Sequence, residues 1–348
     1  MGYHEIKRPR AGALRRGGFV YKFSFSFILF LICHIIFIFY FGSCTQKVNL
    51  SRAEFVLGTN CVVSLFENAN VQVLKDVFVR LREIDNLMSV NIPASDVSRI
   101  NAAAGVESVK VNEDVFELIA MAVYFAEISG GAFDPTIGPI VNLWGFNNNP
   151  SVPLQEEIDA VLKLVNWTDI VLDSDSTTVF LKKPGMALDL GAIAKGYAAD
   201  ETAKIITNAG INRAIVNLGG NIVVIGKNKD DRPWRVGIQD PNGERGSYIE
   251  VVEVSTNDSY MSVVTSGAYE RFFEQDGKRY HHIFSPSTGY PVKNELLSVT
   301  IIAPNSMYAD ALSTAVFVMG YEIGLELIES IEGIEAVFVF EDGVITKF

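Results

Sequence analysis

The stretch ALDLGAIAKGYAAD, Ala187 to Asp200, joins a carboxylate, two glycines and a lysine to the start of a helical pattern. A glycine turn at a helix N-terminus presents free N–H groups to an anion, and Lys195 would add a charge. The spacing is neither that of a Walker A loop nor G-x-G-x-x-G. The alternative is a helix start eased by glycine with an exposed lysine. In SMYADALSTA, Asp310 and Thr314 stand four apart on a predicted helix, so their oxygens share a face. A carboxylate, a hydroxyl and a nearby carbonyl suit a hard cation such as Mg²⁺; the same pair also serves as an ordinary helix surface or a local hydrogen bond.

KRYHHIFSPSTGYP carries the adjacent pair His281 and His282. In a strand these point to opposite faces, so one can face a site while the other packs. This spacing argues against a metal pair, and with little Cys and His elsewhere a zinc site is weakly supported. The third stretch, GGAFDPTIGPIVNLWGF from Gly130 to Phe146, is not periodic and holds Phe133, Trp144 and Phe146. Its rings suit a flat heteroaromatic ligand, or it is an irregular loop with Trp144 as a core plug. VNLGGNI places Asn217 and Gly219-Gly220 at a turn where backbone can approach a ligand closely.

These residues need elements to position them. EFVLGTNCVVSLF predicts a strand, and the apolar spacing over residues 70–89 predicts an amphipathic helix. Ser95 is a predicted N-cap for a short helix in PASDVSRINAAAG. Further helices are predicted in NEDVFELIAMAVYFAEISGG, LQEEIDAVLKLVN, the segment after Ala187 and SMYADALSTAVFVMG. Hairpins are predicted in DIVLDSDSTTVFLKK, RAIVNLGGNIVVIG and EAVFVFEDGVITKF, with other strands in WRVGIQD, YIEVVEVS, MSVVTS and LLSVTIIAP. No repeat and no strict βαβ rhythm is present. The expected class is α+β, with mixed or antiparallel sheets, packed helices and two lobes around a cleft.

The first 43 residues differ in kind. Six Lys/Arg precede the apolar run Phe23 to Gly42, which ends at Ser43-Cys44. This reads as an export signal with a relaxed lipobox, making Cys44 the lipidated first residue; an uncleaved anchor is the alternative. Either reading places the remainder outside the cytoplasm. Residues 44–53 are expected to be a tether and 54–348 the functional domain. Removing the leader takes six of 29 basic and one of 41 acidic side chains, leaving a net charge of about −17. Such a chain lacks the basic footprint that nucleic acid requires. With Cys44 lipidated, Cys61 has no disulfide partner and reads as a small buried hydrophobe.

LMSVNIPASDVSRIN, GGAFDPTIGPIVNLWGF, ALDLGAIAKGYAAD, AIVNLGGNI, VVTSGAYERFF, KRYHHIFSPSTGYP and VTIIAPNSMYADALSTAVFVMG occur in this order. Together they resemble the ApbE-type FAD:protein FMN transferases over nearly all of the chain after residue 54. The resemblance implies a single domain with an FAD cleft, binding FAD as substrate together with Mg²⁺. It implies transfer of FMN to a threonine or serine of a partner protein bearing a D-G-x-[ST]-G-[AS]-T-like motif, with AMP released. It implies Mg²⁺ held by the Ala192 carbonyl, Asp310 and Thr314. FAD contacts are implied at Asn91, Ser95, Asp96, Ala132, Phe133, Asp134, Asp189, Lys195, His282 and Ile283. His282 is the candidate for the proton transfer, with Asp310 as a second candidate. Two departures stand out: Asn91 occupies a place where many relatives have tyrosine, and Ser285 one where aspartate is common. Without a stacking ring at Asn91, looser retention of FAD and competing hydrolysis to FMN and AMP are expected. An FAD pyrophosphatase and a non-catalytic FAD-binding lipoprotein are the rival readings. A periplasmic lipoprotein, anchored most simply in the inner membrane, is the expected location.

Overall fold

A computed structural model describes residues 49–146, 149–244, 246–256 and 259–348. The leader, the lipobox at Cys44 and the first part of the tether lie outside the described residues. Among the described residues, no helix is long and apolar enough to cross a membrane.

The apolar alternation of the strands builds one eight-stranded antiparallel sheet. Its strands are β1 (Leu50–Val56), β2 (Thr59–Leu65), β6 (Ala214–Leu218), β7 (Asn221–Ile225), β10 (Tyr260–Gly267), β13 (Leu296–Ala303), β14 (Glu335–Phe340) and β15 (Ile345–Lys347), in that spatial order. Alternate residues separate cleanly into two cores, as the two-residue period of a pleated strand requires. Val223, Val264, Ile301 and Phe338 face the helices. Val224, Val263, Ile302 and Val337 face a separate hairpin of β8 (Trp234–Gln239) and β9 (Tyr248–Val254). On the helical side α6 (Ala194–Asn208) packs between α1 (Val71–Met88) and α7 (Ser306–Met319), and all three pack on the sheet. α3 (Glu113–Ile128) and a small sheet of β3 (Val109–Lys110), β4 (Ile170–Asp173) and β5 (Thr178–Leu181) extend this layer.

A third apolar cluster forms the smaller lobe. It joins α4 (Gly138–Trp144), α5 (Gln155–Leu162) and the hairpin β11 (Phe272–Gln275)–β12 (Lys278–His281). Trp144 is fully buried at its centre, and its indole Nε1 donates to the Gly289 carbonyl at 2.9 Å. That bond ties α4 to the SPSTG turn.

Three sequence expectations change. EFVLGTNCVVSLF is a hairpin rather than one strand, turning at Leu57 and Gly58, both at positive φ (56° and 68°). Such a two-residue turn matches the twist of antiparallel strands, and Leu57 disguises it because only glycine signals positive φ reliably. The tether is shorter than expected, since Leu50 to Ala53 already pair in β1. The glycine-flanked aromatic stretch contains α4, and Trp144 is the core plug rather than a ligand platform.

The α6–α7 contact holds a buried carboxylate. Asp200 on α6 accepts from the amides of Ser306 and Met307 at 2.8 and 2.9 Å, satisfying two of the free N–H groups that begin α7. Burial raises its pKa to about 6 despite these bonds. Asp200→Asn is expected to destabilise the fold by about 1–3 kcal/mol at neutral pH, because the new NH₂ would face a second donor. Urea unfolding of the two proteins checks this.

Candidate active site

A cleft of about 1150 Å³ opens at the end of the main sheet. This exceeds the roughly 300–1,000 Å³ typical of drug-sized ligands and gives room for a dinucleotide. Its walls come from turns far apart in sequence: Leu57 to Asn60, Ala132 to Asp134, Asp189 to Lys195, Asn217 to Ile222, the β8–β9 connection and the segment from Thr265 to Phe272. His282, Ile283 and Phe284 close one side. Asp310, Thr314 and Val318 present one face of α7, as the four-residue spacing predicts.

The glycine loop does lead into a helix. α6 begins at Ala194 without a side-chain N-cap, and its first turn is tied to α7 instead. Asp310, 2% exposed, accepts from the Gly196 amide through Oδ2 at 2.8 Å and from Lys195 Nζ through Oδ1 at 3.2 Å. Thr314 Oγ1 lies 3.1 Å from Ser266 Oγ. Only glycine permits this approach of the helices: a Cβ on Gly196 would lie 2.3 Å from the Ser306 carbonyl oxygen and 2.6 Å from Met307 Cα. Gly196→Ala is expected to push the helices apart, costing about 1–3 kcal/mol and displacing Lys195 from Asp310. A lowered Tm together with weakened ligand binding would show both effects.

The loop itself is clamped from two sides. Asn101, on α2 (Asp96–Ala102), accepts from the Leu188 amide at 2.7 Å and donates to its carbonyl at 3.0 Å. The Asp189 amide donates to the Pro135 carbonyl at 2.8 Å, joining the loop to the segment at Ala132–Asp134. Asp189 lines the cleft and accepts from the Gly191 amide at 2.8 Å; burial raises its pKa. Asp134 also borders the cleft, but its carboxylate is occupied by the Thr136 amide and hydroxyl and the Trp167 amide. Its pKa is raised by burial. Asp134 therefore shapes its loop, leaving the Ala132–Phe133 segment to meet a ligand.

The adjacent histidines divide as their alternation predicts. His281 is buried, with Nε2 2.9 Å from the Val292 carbonyl. His282 faces the cleft, its Nδ1 3.1 Å from the carbonyl of Arg271. A carbonyl only accepts, so Nδ1 carries the proton and Nε2 keeps a free lone pair. Burial, and then the positive charge of Arg271, push the His282 pKa down to about 3.

Three of the expected contacts are not brought to the cleft. Ser95 caps α2, accepting from the Ser98 amide at 3.0 Å and donating to the Ser89 carbonyl at 2.7 Å. Asp96 pairs with Arg99 and accepts from the Asn112 amide at 2.6 Å. Asn91 is exposed in the turn after α1 and is not among the lining residues. The useful member of that stretch is Asn101. Ala132, Phe133, Asp189, Ala192, Lys195, His282, Ile283, Asp310 and Thr314 do converge. Sequence reasoning also missed Arg271 and the β8–β9 connection, which carry no spacing signal of their own.

The donor set at Ala192, Asp310 and Thr314 is made of oxygens alone. Among the described residues no three His, Cys, Asp or Glu side chains gather. One carboxylate with a hydroxyl and a carbonyl fits Mg²⁺ completed by phosphate oxygens and water, and does not fit zinc.

The profile of the ApbE family matches residues 57–338. The chain is 40% identical over 322 residues to the FAD:protein FMN transferase of Treponema pallidum, covering 86% of this chain and 88% of that one. It is 38% identical over 291 residues to the enzyme of that name from Klebsiella pneumoniae, covering 83% and 88%. Among solved structures, the ApbE protein of Thermotoga maritima superposes with a TM-score of 0.79 at 36% identity, covering 86% of this chain and 97% of that one. The flavin transferase ApbE of Vibrio cholerae gives 0.77 at 29%, covering 87% and 97%.

Proposed function

The chain belongs to the ApbE family, and on that premise we propose that it is an FAD:protein FMN transferase that works with Mg²⁺. The observation that carries this reading is the convergence of Lys195, Asp310, Thr314 and His282 on one dinucleotide-sized cleft. The hydroxyl oxygen of a threonine or serine on the acceptor attacks the FMN-side phosphorus of FAD. A new phosphoester bond forms, the bond to the bridging oxygen breaks, and AMP leaves with that oxygen.

Each group has a task in this displacement. His282 Nε2 takes the hydroxyl proton, with the Arg271 carbonyl holding the ring in the required tautomer. Lys195 offsets charge on the phosphoryl oxygens. The Ala132–Phe133 segment and Phe146 offer apolar and backbone contacts to the flavin or adenine ring. Asp310, Thr314 and the Ala192 carbonyl would hold Mg²⁺, which supplies charge neutralisation on the diphosphate when bound.

The acceptor would carry the D-G-x-[ST]-G-[AS]-T-like motif, and a lipid on Cys44 would hold the enzyme at the outer face of the inner membrane. The test mixes the protein with FAD and Mg²⁺, with and without a peptide bearing that motif, and separates the products by chromatography. Peptide-bound flavin appearing with AMP is the expected result. AMP and free FMN without labelled peptide would make it a pyrophosphatase, and no AMP at all would overturn catalysis.

A further inference from the structure

The cleft holds three cations, and only one of them is uncommitted. Lys195 is paired with Asp310. Arg279 lies over the Phe272 ring, 4.1 Å from its centroid. Arg271 lines the same cleft, and among the described residues its guanidinium makes no ion pair, hydrogen bond or ring contact. The Arg271 backbone carbonyl accepts from both the amide and the ring Nδ1 of His282, each at 3.1 Å. The Arg271 backbone and the imidazole are therefore held side by side, and the charge of Arg271 reaches both His282 and Asp189.

The diphosphate carries about two negative charges, and negative charge builds on the bridging oxygen as AMP leaves. Lys195 shares its charge with the Asp310 carboxylate, so a further cation in the cleft would complement what Lys195 and a bound Mg²⁺ offer that ligand. An arginine fork is the side chain best matched to phosphoryl oxygens, because its planar N–H groups donate in parallel. We infer that Arg271 binds the phosphoryl oxygens of the dinucleotide beside His282, adding a directed positive charge to those that Lys195 and a bound Mg²⁺ supply during transfer. This rests on the flavin-transferase reading and goes beyond it, by assigning part of the charge compensation to a residue outside the glycine loop and α7. A second consequence follows from the shared carbonyl. Arg271 positions the base through its backbone, while burial chiefly, and then the Arg271 charge with smaller effects of His281 and Lys195, lowers its pKa against the raising effect of that backbone bond.

The experiment compares the wild-type protein with Arg271→Met and Arg271→Lys. The side chain is exposed, so both variants should fold. Affinities for FAD, ADP and riboflavin are measured by fluorescence and calorimetry, and kcat/KM for AMP release is followed from pH 4 to 8. Arg271→Met is expected to bind FAD and ADP roughly tenfold or more weakly, since a charge-assisted contact is lost, while riboflavin binding stays unchanged. Its acidic limb of kcat/KM is expected to move upward, which a structural arginine would not cause. Arg271→Lys should recover part of the ADP affinity. Unchanged ADP affinity in Arg271→Met, or an equal loss for riboflavin, overturns the assignment. So does a rise in KM for the acceptor peptide alone, which would make Arg271 an acceptor contact. A wild-type protein that binds neither FAD nor ADP removes the flavin-transferase reading and this inference with it.

Discussion

Asp310→Ala is expected to reduce flavin transfer at least about 10³-fold while the protein remains folded. The size follows from what the carboxylate does in the cleft: it is the one acidic side chain in the proposed Mg²⁺ set and the partner of Lys195. Loss of a single preorganised electrostatic group at a transition state already costs about 10²–10³ in rate, and here the cation's anchor would go as well. The structural penalty is smaller. The Gly196 amide loses its acceptor, but it belongs to the first turn of α6, where amides lack intrahelical partners in any case. Lys195 can turn to water through the cleft. A loss of about 1–3 kcal/mol in stability is expected, read by thermal melting. Asp310→Asn sharpens the test: it keeps an oxygen for the Gly196 amide but not the charge, so its stability should recover more than its activity. Transfer within a fewfold of wild type in both variants would sink the metal assignment.

His282→Gln is the second large effect, with kcat lowered about 10²–10⁴-fold and FAD affinity nearly unchanged. Glutamine retains hydrogen-bonding ability without a basic lone pair, so binding and proton transfer separate. The pH profile gives an independent check. Burial and Arg271 place the His282 pKa at about 3, well below the ordinary 6.5. A base loses activity only as pH falls through its folded-state pKa, so kcat/KM should stay flat from pH 8 to 5 as far as this group is concerned. Stability behaves oppositely in that window. Between 6.5 and about 3 the unfolded chain takes a proton on this histidine that the folded protein refuses, so His282 lowers stability as pH falls. His281, also lowered by burial, acts in the same direction. An acidic limb near 6.5 that disappears in His282→Gln would show that the imidazole titrates as a solvated group.

The elements were legible where one physical period dominates. The helix over Val71–Met88 buries Val73, Leu74, Val77, Leu81, Ile84 and Met88, as its apolar spacing selects; Leu87, also selected, is half-buried, and Phe78 is buried beside them. The β6–β7 turn follows from Gly219 and Gly220, at φ 62° and 101°. α4 was hidden because Gly138-Pro139 reads as a loop, although proline is well tolerated in a first helical turn and Gly138 is required where a Cβ would lie 2.6 Å from the Ala187 carbonyl oxygen. In the site, Asp310 and Thr314 announce themselves because a helix puts them together locally. Arg271, Asn101 and the β8–β9 connection do not, because what gives them a role is convergence of distant segments. Ser95 and Asp96 mark the opposite limit: a motif stretch can be dominated by residues that build the helix cap and loop. There, hydrogen bonds to Ser98, Asn112 and Ser89 use up the side chains that looked like ligand contacts.

The order of strands in the main sheet also governs how the protein can fold. β2 pairs on one side with its neighbour β1, but on the other Leu65 faces Ala214 and Cys61 faces Leu218. During synthesis the first hairpin therefore emerges with its inner edge unpaired, and its partner is made only after α1 through α6 have followed. A lone hairpin is marginal in water, and an open apolar edge invites pairing with another chain. Closing so long a loop before the contact is rewarded makes the step slow. The catalytic cleft, which draws on both the first turn of that hairpin and the last long helix, cannot form in stages from the N-terminus: it appears only when the sheet closes as a whole.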